Sequence, residues 1–263
     1  MSNFAALYRE SMSDAMRRRI TPVIIAVCLL SALMLDSCTA CATGQVIIDG
    51  EARGMAEIAG SAGTATLVVL GLWILVLAGV LAADHLAQTL EDGSANLCLA
   101  RPVSRLSYAW ARLAGVLTLT WLAGAVLLGT SAALLSSRGG LPLAPAAWAA
   151  LACGAGSLIV AALSMTASLL LPRLGAILLT LMFVGAVAMA NGVEGIRQSG
   201  EGWLALIDRL GPPLGTSIAW PLSTWVPVDL PGDPLLLSLR MALWCVIALG
   251  ALQITFNRTE LGR

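Results

Sequence analysis

Two runs of this chain, Thr64–Ala83 and Leu113–Ser137, contain no charged side chain. Each is long enough to cross a bilayer as a helix, which takes about 20 predominantly apolar residues. In lipid every backbone polar group must be satisfied within the segment, so runs like these become helices. Between them lies a polar island, Asp84–Arg112, reading DHLAQTLEDGSANLCLARPVSRLSYAWAR. An insert of that character sits outside the hydrocarbon, where unpaired polar groups are not penalised.

The same reading over the whole chain predicts six spans, at about 20–42, 64–83, 106–136, 143–171, 174–190 and 235–256. Charged residues make up 11% of the sequence, against roughly 25% in soluble domains. The expected fold is therefore an all-α integral membrane protein whose 263 residues form a single transmembrane domain. Residues 1–19 precede the first span. There Phe4, Leu7, Tyr8, Met12, Ala15 and Met16 recur at helical spacing, which predicts an amphipathic interfacial helix. They do not resemble a cleavable signal, so the first span is expected to be retained. Pro142 and Pro145 predict an irregular, interfacial start to the fourth span. Arg240 is expected to snorkel from the sixth span toward headgroups.

Arginine distribution orients the spans. With both termini in the cytoplasm, Arg9, Arg17, Arg18, Arg19, Arg101, Arg105, Arg112, Arg173, Arg258 and Arg263 fall inside. Arg53, Arg138, Arg197, Arg209 and Arg240 fall outside. The excess inside favours N-in and C-in, which makes the island cytoplasmic. Of the two long outer segments, Thr43–Gly63 reads as a solvated loop or short helix. Residues 191–234 mix Trp203, Trp220 and Trp225 with six prolines. That combination predicts short helices on or in the outer leaflet.

Several chemistries are excluded. All 15 basic residues are Arg, so the chain lacks the Lys of a P-loop and of a Schiff-base enzyme. His85 is the only His, too few for a zinc protease, and it reads as structural. Ser157 and Ser164 lack a nucleophile context. The scattered cysteines read as small membrane-embedded hydrophobes; Cys38 and Cys41 form a C-x-x-C whose disulfide or metal role is left open. Asp36 and Asp84 stand at span ends, where solvated termini are expected. An ion-coupled carrier would gain support only if one of them were buried and essential. No cofactor, metal or nucleic-acid partner is indicated.

The island has internal design. His85–Asp92 is helix-compatible, with Leu86 and Leu90 at i, i+4, and Gly93 is a natural stop. Leu97, Leu99 and Ala100 offer a second apolar face, Arg101-Pro102 breaks it, and a new helix begins after Arg105. A helix–break–helix elbow with an apolar face suits docking into a groove on a soluble partner. Recruitment of a non-ATPase partner by a membrane scaffold is a reading of the same pattern.

Glu91-Asp92-Gly93-Ser94, followed by Leu97 to Arg101-Pro102-Val103-Ser104-Arg105, resembles the "E-x-G-T/S … L-L-x-x-P-V-S-R" segment of ABC-2 type permeases. These are membrane subunits of a class of ATP-binding cassette transporters. The tail Phe256-Asn257-Arg258-Thr259-Glu260-Leu261 resembles their "F-x-R-x-D/E-L" ending. The nearest flavour is the six-span group that includes the permease serving copper-site maturation of nitrous oxide reductase. The resemblance implies a cytoplasmic coupling helix between spans two and three, within residues 84–105. It implies a separate ABC ATPase holding ATP and Mg²⁺, two copies of it, and a second copy of this chain. It also implies an exporter in a bacterial inner membrane, with room for an accessory protein outside. The residues it places at the ATPase-coupling surface are Asp84, Leu86, Leu90, Glu91, Asp92, Gly93, Arg101, Pro102 and Arg105. Where relatives often carry Lys shortly after the motif, this chain has Arg112.

Overall fold

A computed structural model describes residues 3–17, 30, 46–48, 51–53, 55–91, 104–139, 141–192, 203–225 and 233–258. The predicted first span lies outside these residues apart from Leu30. The described elements are α1 (Asn3–Arg17), β1 (Val46–Ile48), β2 (Glu51–Arg53), α2 (Met55–Glu91) and α3 (Arg105–Gly139). They continue with α4 (Leu143–Leu170), α5 (Arg173–Gly192), α6 (Trp203–Leu210), α7 (Leu214–Leu222) and α8 (Pro234–Arg258).

Five helices are long and apolar enough to cross a membrane: Gly63–Leu86 within α2, Leu106–Ser137 within α3, Leu143–Leu170, Arg173–Asn191 and Pro234–Arg258. The chain is therefore a multi-pass membrane protein. Its outer surface agrees, because Leu174, Leu178 and Met182 on α5 and Leu235, Leu239, Leu243 and Val246 on α8 are all exposed. A soluble monomer rarely exposes apolar surface on that scale.

Helix α4 is the hub. It packs against α2, α3, α5, α7 and α8, and its middle, Ile159–Ala162 with Met165, is buried all round. Small residues permit the closeness, as expected where helices pack without a hydrophobic force between them. A methyl group at Gly79 would stand 2.9 Å from Val160 Cγ1 on α4 and closer still to Thr180 on α5. Ser164 Oγ donates to the Gly79 carbonyl at 2.6 Å, and Thr180 Oγ1 lies 2.9 Å from Ser164 Oγ. This neutral seam ties α2, α4 and α5 together in mid-bundle.

Local chemistry sets the helix ends. Ser104 caps α3: its Oγ accepts from the Ser107 N–H at 3.2 Å, satisfying one orphan donor of the first turn. Leu171, extended at φ −122° and ψ 153° as a residue before proline must be, ends α4, and α5 starts at Arg173.

Three expectations change. α4 is regular from Leu143, because a proline in the first turn loses only an N–H that has no helical partner anyway. Residues 43–63 contain an antiparallel ribbon pairing Val46 with Arg53 and Ile48 with Glu51, followed by the start of α2 at Met55. Finally, the span expected to end at Ala83 and the helix expected over 85–92 are one element, α2. It runs unbroken for 37 residues to Glu91, roughly 55 Å at about 1.5 Å per residue, with no Pro or Gly between Ala83 and Glu91 to end it.

Candidate functional site

At the end of the bundle that carries α1, polar side chains from separate elements meet in the interior. α1 packs against α3 along Leu7, Tyr8, Ser11 and Met12, whereas Phe4 stays exposed. The packed stripe is thus turned from the one expected, with a serine at its centre. Ser11 is fully buried, at 0% exposure. It occupies the space beside Gly115 of α3, where a methyl group would fall 3.1 Å from the Ser11 Cβ and closer to its Oγ. Only glycine at 115 accepts this approach. One turn earlier Tyr8 Oη lies 2.9 Å from Thr118 Oγ1. The Thr118 hydroxyl hydrogen already goes to the Ala114 carbonyl at 2.8 Å, so Tyr8 is the donor.

Ser11 Oγ reaches His85 Nε2 at 2.9 Å, and Arg112 Nη1 reaches the same nitrogen at 3.1 Å. A guanidinium only donates, so Nε2 is the acceptor and the imidazole is the neutral tautomer with its proton on Nδ1. His85 is 3% exposed and Arg112 4%. The Arg112 guanidinium lies 5.2 Å from the centroid of the Tyr108 ring, which stacks on Phe256 of α8 at 6.4 Å. The charge of Arg112 is thus met by an imidazole lone pair and an aromatic face.

Asp84, also 3% exposed, pairs with Arg173 at the start of α5. Arg173 is 46% exposed along its side chain, so the pair runs from the interior to the surface. A buried carboxylate is tolerated when it is paired in this way. The cluster therefore ties α1, α2, α3, α5 and α8 together. Asp84, expected as a solvated terminus, is an interior ion-pair partner.

The predicted coupling residues divide. Asp84 and Leu86 are buried within the chain, facing their own bundle and not an outside partner. Leu90 and Glu91 lie in the last turn of α2 and Arg105 is the first residue of α3, all within the island. Asp92, Gly93, Arg101 and Pro102 lie outside the described residues. Ser11 and Tyr108 carry no motif in the sequence, and Arg173 and Arg112 stand out there only as members of the inner arginine set, Arg112 also as Arg where relatives of the resembled family often carry Lys. A usable signal existed: Arg112 falls inside a predicted span, four residues after Tyr108, and a charge there requires partners.

The Ser11–His85 pair has the spacing of a nucleophile and its base. It cannot act as one, because Ser11 is sealed from solvent and Arg112 already occupies the base nitrogen. Among the described residues no group of three His, Cys, Asp or Glu side chains could hold a metal ion. The cluster joins side chains of five helices.

The opposite end is built differently. Arg240 of α8 donates to the carbonyls of Asp208 at 2.6 Å and Gly211 at 2.7 Å. These cap the C-terminal end of α6, where the helix dipole favours a cation. Arg240 therefore staples a protein corner instead of snorkelling to lipid. Trp244 Nε1 donates to Leu210 O at 3.0 Å. Asn191 bridges the Asp208 carboxylate and the Gly215 N–H. The 191–234 segment does form short helices, α6 and α7, and α6 turns Trp203, Leu206 and Leu210 outward.

No known family model matches the chain, and no curated protein matches it.

Proposed function

We propose that this chain is the membrane subunit of an ABC-2 type transporter, an exporter driven by a separate ATPase that docks on the island between α2 and α3. The observation that carries the reading is the unbroken run of α2 from mid-bundle to Glu91, clamped near its end by the polar cluster. A helix held at Asp84 and His85 by α1, α3 and α5 is a stiff lever. A push on residues beyond Glu91 reaches α1, α3, α5 and α8 at once. The motif resemblance implies a docking surface that begins at the end of that lever.

In this reading the coupling residues separate into two jobs. Leu90, Glu91, Asp92, Gly93, Arg101, Pro102 and Arg105 form the surface offered to the partner. Asp84 and Leu86 hold the lever in the bundle. ATP and Mg²⁺ sit on the partner, two ATPases serve two permeases, and the α1 end faces the cytoplasm of a bacterial inner membrane. The test is copurification of the neighbouring ATPase with variants Gly93→Pro and Arg105→Glu. Loss of binding with intact membrane insertion is expected; undiminished binding sinks the docking surface.

A second reading is favoured by one observation, the burial of Asp84. An ion-coupled carrier would use such a carboxylate. Against it, Asp84 stands at the end of its span, and the described spans have uncharged middles. Vesicles holding the chain alone would decide: solute movement driven by an ion gradient without ATP supports the carrier.

A further inference from the structure

Near the end of the bundle that carries α6 and α7, a cavity of about 410 Å³ opens between α4, α7 and α8. Trp148 and Ala155 of α4, Trp220 of α7, and Leu237 and Ala242 of α8 line it. No charged side chain contributes. Its two serines spend their hydroxyl hydrogens inside their own helices, Ser217 on Leu214 O at 3.0 Å and Ser238 on Leu235 O at 2.9 Å. The wall therefore offers no ionic anchor for a polar solute. An apolar cavity of roughly 150 Å³ stays dry and takes up a hydrocarbon such as benzene; this one is larger.

We infer that this cavity seats one acyl chain of a membrane phospholipid. Continuity fixes the occupant. The cavity borders the lipid-facing surface of the bundle, where Leu151, Leu235 and Leu239 are exposed, so hydrocarbon reaches it without crossing water. Trp148 and Trp220 suit the level where a chain meets its ester region, since indole combines an apolar body with one N–H donor. Where α4 and α8 approach, Cys245 Sγ comes within 4.0 Å of Ala155 O. The arginine distribution assigns this level to the outer leaflet. The inference is independent of whether an ATPase docks at the other end.

The test uses the full chain in nanodiscs containing phosphatidylethanolamine with a diazirine at mid-chain. Photolabel is expected to concentrate on residues 148–155 and 237–245. Ala242→Trp, at an exposed wall position, should lower that labelling roughly tenfold by denying the chain the contacts of about two methylenes. Val246→Trp, exposed on the same helix outside the cavity, should leave it unchanged. Ala152→Phe carries the same expectation as Ala242→Trp and stands in if that variant aggregates. Label spread evenly over the exposed apolar belt, indifferent to Ala242→Trp and Ala152→Phe, would overturn the inference. So would an interchain disulfide formed by Ala242→Cys, which would assign the groove to a second copy.

Discussion

Each end of the bundle holds an arginine near the edge of a span, Arg112 buried and Arg240 half-buried, and they are satisfied in different ways. Arg240 rests on two backbone carbonyls of one corner. Those acceptors belong to the end of a helix and stay while that helix exists. Arg112 rests on an imidazole and a phenol ring, and its partners in turn touch α1 and α8. Tyr108 belongs to the helix of Arg112 itself, whereas His85 is in place only while α2 and α3 keep their positions. The first arrangement holds one corner of the protein. The second joins helices that are distant in sequence. Under the proposed function, it is the second that would carry movement between elements.

The comparison can be broken from either side. Arg112→Ala empties a large buried side-chain volume beside His85 and Tyr108 and should have the largest effect, a destabilisation of ~2–5 kcal/mol typical of truncating a large buried side chain. It would be read as a lost thermal transition or lost yield in detergent; a change within error would mean the cluster is decorative. Gly115→Val comes next. Its side chain would collide with Ser11 and lever α1 off α3, costing ~1–3 kcal/mol as overpacking does. Protease cleavage within α1 should accelerate while the spans stay intact. Arg240→Ala should cost about 1–3 kcal/mol by leaving two carbonyls unsatisfied, yet loosen only α6 and α7, as hydrogen exchange of 203–222 would show. Thr118→Val removes the acceptor of Tyr8 and should cost about 1 kcal/mol, the smallest effect, measurable as a modest shift in α1 protection.

Much of the fold was legible because length and apolarity determine a span. Five of the six predicted segments coincide with long apolar helices to within a few residues. The ribbon at 46–53 was legible too and was overlooked. Val46-Ile47-Ile48 is β-prone, and Asp49-Gly50, the two residues between the paired strands in sequence, is the dipeptide that favours a tight hairpin. The continuation of α2 through Asp84 was hidden by treating polarity as exposure. Asp84 and His85 are polar and interior, because partners distant in sequence reach them: Ser11 lies 74 positions from His85. Periodicity reports which face is apolar, and it is blind to which polar side chains pair across the bundle. For the same reason the predicted coupling residues mixed two classes. Leu86 at i, i+4 from Leu90 looked like a docking face, and Leu86 proves to be buried against the chain itself.

The most direct test separates docking from transmission. The chain is copurified with the proposed ATPase as wild type and as Asp84→Asn, which weakens the pair with Arg173. ATP hydrolysis coupled to the reconstituted bundle is then measured per bound ATPase. The account predicts ATPase binding at the wild-type level with coupled hydrolysis reduced roughly tenfold, the effect of losing about 1.4 kcal/mol of linkage. Wild-type coupling in Asp84→Asn would contradict the claim that the buried cluster carries the motion.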